Sequence, residues 1–135
     1  MKNYWIVKVK GESLTLPKEL SEILRIESGA YVLIEADTRS REAVITKLAS
    51  SGVKLVEMNL LMRNIPGAMA KVDSMLGTHN VNIIYAEGEM VEDDPGLYTS
   101  VKMLDMCTAD VKSAELEREL KSLPEIVEIR FLEFS

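Results

Sequence analysis

The sequence predicts an α+β protein built from two units, a ββαββ arrangement over residues 1–49 and a βαββαβ arrangement over residues 53–135. Three observations carry this reading. Eight short runs have the length and patterning of strands, and three others repeat apolar residues at helical spacing. Ala49-Ser50-Ser51-Gly52 is small, polar and flexible, the composition of a boundary. The charge changes there as well. Residues 1–49 hold eight Lys and Arg against seven Asp and Glu, a net +1, whereas residues 50–135 hold eight against fifteen, a net −7. Such a difference suggests two units with different partners.

In the first unit, Tyr4 to Lys10 alternates Trp5, Val7 and Val9 against Ile6, Lys8 and Lys10, as a half-buried strand does. Gly11-Glu12-Ser13 breaks the run and Leu14-Thr15-Leu16 resumes it. Pro17 opens a helix in which Leu20, Ile23 and Leu24 share a face, and Glu27-Ser28-Gly29 ends it. Tyr31 to Ala36 and Ala43 to Leu48 read as two further strands around the polar turn Asp37 to Glu42. So small a unit buries too little surface to stand alone, and a homodimer is expected.

The run VKVKGESLTLPKELSEILRIESGAYVLIEA resembles the AbrB/SpoVT-like swapped-hairpin domain, with its Gly-turn, its short strand ending in Leu-Pro-Lys-Glu-Leu, its helix and its Ile-x-x-Gly-x-x-Val. The resemblance implies an interleaved dimer closing a swapped-hairpin β-barrel, a fold in which many members bind DNA. The positions where DNA-gripping members commonly carry arginine hold Glu12, Ser13, Ser21 and Glu22 here. Lys8, Lys10, Lys18, Arg25, Arg39 and Arg41 remain as candidate phosphate contacts. The net charge is a weak footprint for nucleic acid.

In the second unit, Val56, Met58, Leu60 and Met62 form one face of a strand. The turn Arg63-Asn64-Ile65-Pro66-Gly67 follows. Pro66 suits the entry to a helix, and the free N–H groups and positive dipole end of a helix start suit a carboxylate. Ala68, Val72, Met75, Leu76 and His79 then fall on a helical stripe. Val81 to Glu89 reads as a strand, Glu92-Asp93-Asp94-Pro95-Gly96 as a hairpin turn, and Leu97 to Met106 as a strand with Leu97, Thr99, Val101 and Met103 on one face. Ala109, Leu116, Leu120 and Leu123 share a helical stripe closed by Pro124, and Ile126 to Phe134 is a final strand. The order is the split, ferredoxin-like one: an antiparallel sheet with both helices on one face. Its open face and edges again favour pairing of chains.

Asn64-Ile65-Pro66-Gly67-Ala68-Met69-Ala70-Lys71-Val72 and Val81-Asn82-Ile83 resemble the ACT domain, a small-molecule-sensing module of amino-acid metabolism. The resemblance covers residues 53–134. It implies an amino-acid effector at the interface of paired domains, held by Asn64, Ile65, Gly67 and Ala68 of one and by Asn82 and Ile83 of its neighbour. Many ACT domains use this surface only to oligomerise, and Asn82 would then serve the turn.

Other chemistry is sparse. The composition, 47% hydrophobic and 28% charged, is that of an ordinary soluble domain, and no run approaches the roughly 20 apolar residues of a membrane span. The single cysteine, Cys107, suits a reducing cytoplasm, and Met1 to Trp5 has no signal-peptide core. One histidine and one cysteine make a poor metal set, and His79 reads as structural or solvated. No phosphate loop, catalytic triad, cofactor or metal is expected, and no enzyme. The expectation is a cytoplasmic regulator with an ACT effector domain that acts on transcription. The alternatives are a non-DNA-binding subunit docking on a biosynthetic enzyme, and an oligomerising scaffold without a ligand.

Overall fold

Pro17, at φ −55° and ψ 142°, turns the chain into helix α1 (Lys18–Leu24), which ends on Arg25 in the left-handed conformation. The computed structural model describes residues 1–134; Ser135, at the end of the expected second unit, lies outside them. The chain divides into a unit of Met1–Gly52 and another from Val53 on. In the first, β1 (Tyr31–Asp37) and β2 (Glu42–Ala49) form an antiparallel hairpin with Ile34 opposite Ile45. The Asp37 carboxylate accepts the Arg39 and Ser40 N–H groups at 2.8 and 3.3 Å and so shapes the turn. Glu27, beyond α1, accepts the Ser51 N–H at 2.8 Å and faces Lys47 Nζ at 3.4 Å. The Ser51 bond holds its carboxyl below the usual range.

The strands expected over Tyr4–Lys10 and Leu14–Leu16 do not form in the single chain. Met1–Val9 joins no ladder, and the nearest pairing is a tight turn in which Lys10 and Ser13 exchange bonds of 2.9 and 3.0 Å about Gly11 at φ +61°. A strand exists through its partner, and the two-stranded hairpin supplies none to this segment. The expected barrel is therefore not closed by one chain. Of residues 1–52 only Ala49 is buried, while Tyr4, Ile6, Val9, Leu14, Ile23, Ile34 and Val44 are all more than half exposed.

The second unit has the expected order: β3 (Leu55–Arg63), α2 (Ala68–Thr78), β4 (Asn82–Val91), β5 (Asp94–Asp105), α3 (Ser113–Lys121) and β6 (Ile126–Glu133). Its sheet runs β4-β5-β3-β6, all neighbours antiparallel. This is the ferredoxin-like arrangement. Strand β3 carries the core. Val56, Met58, Leu60 and Met62, all almost wholly buried, pack with Ala68, Val72 and Leu76 of α2, Leu116 and Leu120 of α3, and Leu104 of β5. Each valine, leucine and methionine among them contributes roughly 1.5–3 kcal/mol by leaving water.

Register decides which face of β5 meets the helices. Tyr98, Ser100, Lys102 and Leu104 lie opposite Met62, Leu60, Met58 and Val56, so they share the core side. Leu97, Thr99, Val101 and Met103 do share a face, but it is the one no helix covers. Lys102 is buried, and its ammonium reaches Asp73 of α2 at 3.3 Å, so that its stem covers apolar surface while its head finds a charge. Ser100 Oγ donates to Glu87 O at 3.2 Å.

The hairpin turn is shorter than Glu92 to Gly96. Val91 already pairs with Asp94, leaving Glu92 and Asp93 as the turn, and Pro95 and Gly96 belong to β5. Proline is tolerated there because β3 ends at Arg63, opposite Leu97, so no ladder partner awaits its missing N–H on that side.

On β4, Gly88 lies opposite Ser100 and beneath the Tyr98 ring; a Cβ there would stand 2.8 Å from Thr99 O and closer still to the Tyr98 hydroxyl. Gly88→Ala is expected to lower stability by about 1–3 kcal/mol through overpacking, measured as a lower urea midpoint at unchanged slope. An unchanged midpoint would show that Tyr98 moves aside freely.

Candidate functional site

The turn from β3 into α2 is built by three devices. Gly67 caps the helix at φ +82°, a left-handed conformation that side chains strain to adopt, with open space where a Cβ would project. Asn64 ties the turn to the β4–β5 hairpin: its N–H donates to Gly96 O at 2.9 Å and its Nδ2 to Pro95 O at 3.0 Å. Ala68 N donates to Ile65 O at 3.2 Å, and no side chain caps the helix. Ile65 stands 49% exposed beside this end, while the Ala68 side chain is buried in the core. The Ala68 N–H is thus engaged within the turn, and the positive end of the helix dipole lies behind Gly67, where the space a Cβ would take is open.

Asn82 and Ile83 are not beside this turn in one chain. Asn82 opposes Asp105, which opposes Leu55, so it sits at the start of β3, whereas Asn64 follows the end of β3. The strand length between them is about 30 Å. Asn82 is exposed, and Ile83 packs against the core.

Beneath the turn lies a charged pair that the sequence does not announce. Glu125, between α3 and β6, is buried, and its Oε1 is bonded by Lys71 Nζ from the start of α2. Its backbone carbonyl accepts the Arg63 N–H at 2.8 Å. Among the described residues, Glu125 Oε2 is buried with no hydrogen-bond partner. The Lys71 bond, aided by the residue's own N–H, outweighs desolvation and holds the carboxyl below the usual range. The only sequence hint is a carboxylate set between the apolar Leu123 and Ile126.

At the other end of α2, His79 lies between two carboxylates: Nδ1 is 2.8 Å from Asp110 Oδ1 and Nε2 is 2.6 Å from Glu119 Oε2. Hydrogen bonds to Asp110 and Glu119 raise its pKa above the ordinary imidazole value. The partners lie 31 and 40 residues away, beyond any local pattern. Being on opposite ring nitrogens they do not converge, and among the described residues no group of three His, Cys, Asp or Glu is placed to hold a metal. Cys107 is exposed, and its Sγ accepts the Lys54 N–H at 3.3 Å.

The six cationic candidates of the first unit are all exposed. Lys18 and Arg25 stand at opposite ends of α1, Arg39 and Arg41 share the β1–β2 turn, Lys8 lies in the segment without ladder partners, and Lys10 pairs with Ser13 about Gly11.

No family model and no curated protein matches the chain. Solved structures similar to it include the C-terminal domain of MgtC from Mycobacterium tuberculosis, at 16% identity and a TM-score of 0.47 over 62% of this chain and 89% of that one. The P2 domain of the chemotaxis kinase CheA from Thermotoga maritima, solved with the response regulator CheY, has 13% identity and a TM-score of 0.47 over 62% and 100%. Ribosomal protein S6 of the same organism has 15% identity and a TM-score of 0.44 over 61% and 88%. Likenesses this distant carry no argument about what the chain binds. Among the described residues no helix is long and apolar enough to cross a membrane.

The Lys71–Glu125 pair gives a pH test. A carboxyl whose folded pKa is lowered contributes stability above its unfolded pKa, and that contribution is lost as pH falls through the folded value. Glu125→Gln is therefore expected to melt below the parent at about pH 7, with the gap closing below about pH 4. A gap independent of pH would mean that charge plays no part.

Proposed function

We propose that the chain is a small-molecule-sensing regulatory protein whose second unit is an ACT domain binding an amino acid or related metabolite. The observation that carries this is the β3–α2 turn: an uncapped helix start with Gly67 left-handed and open space above it. An α-carboxylate is the ligand group such an end takes best. The separation of Asn82 and Ile83 from the turn is what a shared site requires. β4 is an edge strand. Two copies paired antiparallel along it would bring Asn82 and Ile83 of one to the end carrying Asn64, Ile65, Gly67 and Ala68 of the other.

The first unit, in this reading, is an AbrB/SpoVT-like dimer in a cytoplasmic transcriptional regulator. Its exposed apolar side chains and ladderless first segment support completion by a second copy. DNA contact would come from Lys8, Lys10, Lys18, Arg25, Arg39 and Arg41. An effector would alter DNA affinity only as far as it binds two dimer arrangements unequally.

A thermal-shift screen of the common amino acids tests the sensor. One or more is expected to raise the melting temperature, by about 2.7 kcal/mol of stabilisation at a hundredfold excess over Kd. Ile65→Glu, at an exposed position, should leave the unliganded protein within about 0.5 kcal/mol of the parent. Its carboxylate at the helix start should abolish the shift. A screen without any shift, or a shift that survives Ile65→Glu, removes the site from this turn.

DNA binding is tested by its salt dependence. The expected log–log slope is negative, and Arg39→Ala should flatten it by about 0.9 for the one phosphate lost. No binding at low salt would leave the regulatory subunit that docks on an enzyme as the better reading.

A further inference from the structure

We propose that His79 is a proton-operated clasp that ties Glu119 of helix α3 to the end of helix α2 and lets that side chain go when the imidazole loses its second proton, while Leu116 and Leu120 keep α3 on the sheet. Hydrogen-bond capacity makes the contact depend on the ring's charge. An ionised carboxylate only accepts, so two carboxylate oxygens at 2.8 and 2.6 Å from Nδ1 and Nε2 require a proton on each nitrogen. A neutral imidazole has one N–H. Its other nitrogen would then turn a lone pair toward a carboxylate oxygen, and one of the two contacts must open. The arrangement has one form when charged and another when neutral.

Which contact opens follows from how each carboxylate is otherwise held. The segment before α3 is sewn to the end of α2 by backbone as well as side chain: Asp110 N donates to His79 O at 3.1 Å, and Thr108 Oγ1 donates to Asn80 O at 2.9 Å. Asp110 therefore stays beside Nδ1 whatever the charge on the ring. Glu119 is a long, half-exposed side chain on α3 and reaches His79 with its tip. Neutral His79 keeps its proton on Nδ1 and lets Glu119 go.

The surroundings leave this balance to the three residues. His79, Glu119 and Lys71 line one open groove of about 550 Å³, with Ala70, Ser74, Met75 and Thr78 of α2. Lys71 lies two turns back along α2 and is engaged with Glu125. Glu115 precedes Glu119 by one turn on α3, and Lys112 follows Asp110 in the approach to α3. Hydrogen bonds to Asp110 and Glu119 raise the imidazole's pKa above its ordinary value. Charge-assisted bonds on both nitrogens stabilise the clasp below the transition and are lost as pH rises through it.

The chain has a single histidine, so nitrogen-detected NMR of the full-length protein reads this ring without ambiguity. The ring is expected to titrate above about 6.5, to leave a neutral form protonated on Nδ1, and to move the backbone resonances of α3 with the same midpoint. Glu119→Gln supplies the control, because an amide can accept from an N–H or donate to a bare nitrogen. In that variant the ring's midpoint should fall and the matching movement of α3 should disappear. A midpoint at or below 6.5 overturns the proposal. So does a neutral ring protonated on Nε2, an α3 that does not follow the ring, or a response unchanged in Glu119→Gln.

Discussion

The second unit depends on the burial of one strand. β3 has neighbours on both sides and turns Val56, Met58, Leu60 and Met62 toward both helices. Every other element is placed by reference to it. α2 reaches it with Ala68, Val72 and Leu76, and α3 with Leu116 and Leu120. Close packing of this kind fixes the helices over the sheet. It also fixes the two ends of α2, the turn at Gly67 and the imidazole at His79, as points on a rigid body. The first unit has no such strand. In its hairpin and seven-residue helix only Ala49, at the end of β2, is buried, and most of the apolar side chains that should form a core face outward.

This contrast explains what could be read from the sequence. The βαββαβ order was legible because each element answers to a local period: β3 alternates cleanly, and α2 and α3 present apolar residues three and four apart. The same alternation over Tyr4 to Lys10 is as clear, yet it makes no strand in one chain. Patterning announces a surface that wants cover, and says nothing of where the cover comes from. In β5 the more apolar set, Leu97, Val101 and Met103, sits on the side without helices, while Ser100 and Lys102 are buried under them. Lys102 has an aliphatic stem long enough to carry its charge out to Asp73, so a lysine fills a core position that hydropathy assigns to something else.

The site residues divide along the same line. That Gly67 frees the backbone at a helix start was legible, since glycine and proline act through local geometry. That Asn64 spends its amide on Pro95 was not, because the partner comes from a hairpin 31 residues on. The carboxylates at His79 and the carboxylate under Lys71 are likewise long-range in sequence. Each is a single charged residue in a segment where charge is common, and only the fold makes it specific.

The two ends of α2 differ in what they ask of a partner. At Gly67 the helix start has no side-chain cap, and Asn64 fastens the turn to the hairpin. At His79 the helix end is fully engaged, its ring bonded on both sides and its carbonyl bonded by Asp110. A carboxylate arriving at the first end meets an unpaired dipole. A carboxylate arriving at the second would meet two already present. Any response of the second end to its surroundings must therefore go through the proton that holds those two carboxylates in place. Because Val72 and Leu76 lock α2 to the sheet between them, the two ends need not act together. Coupling would require α2 to have two packings on β3, and its buried stripe allows little room for a second.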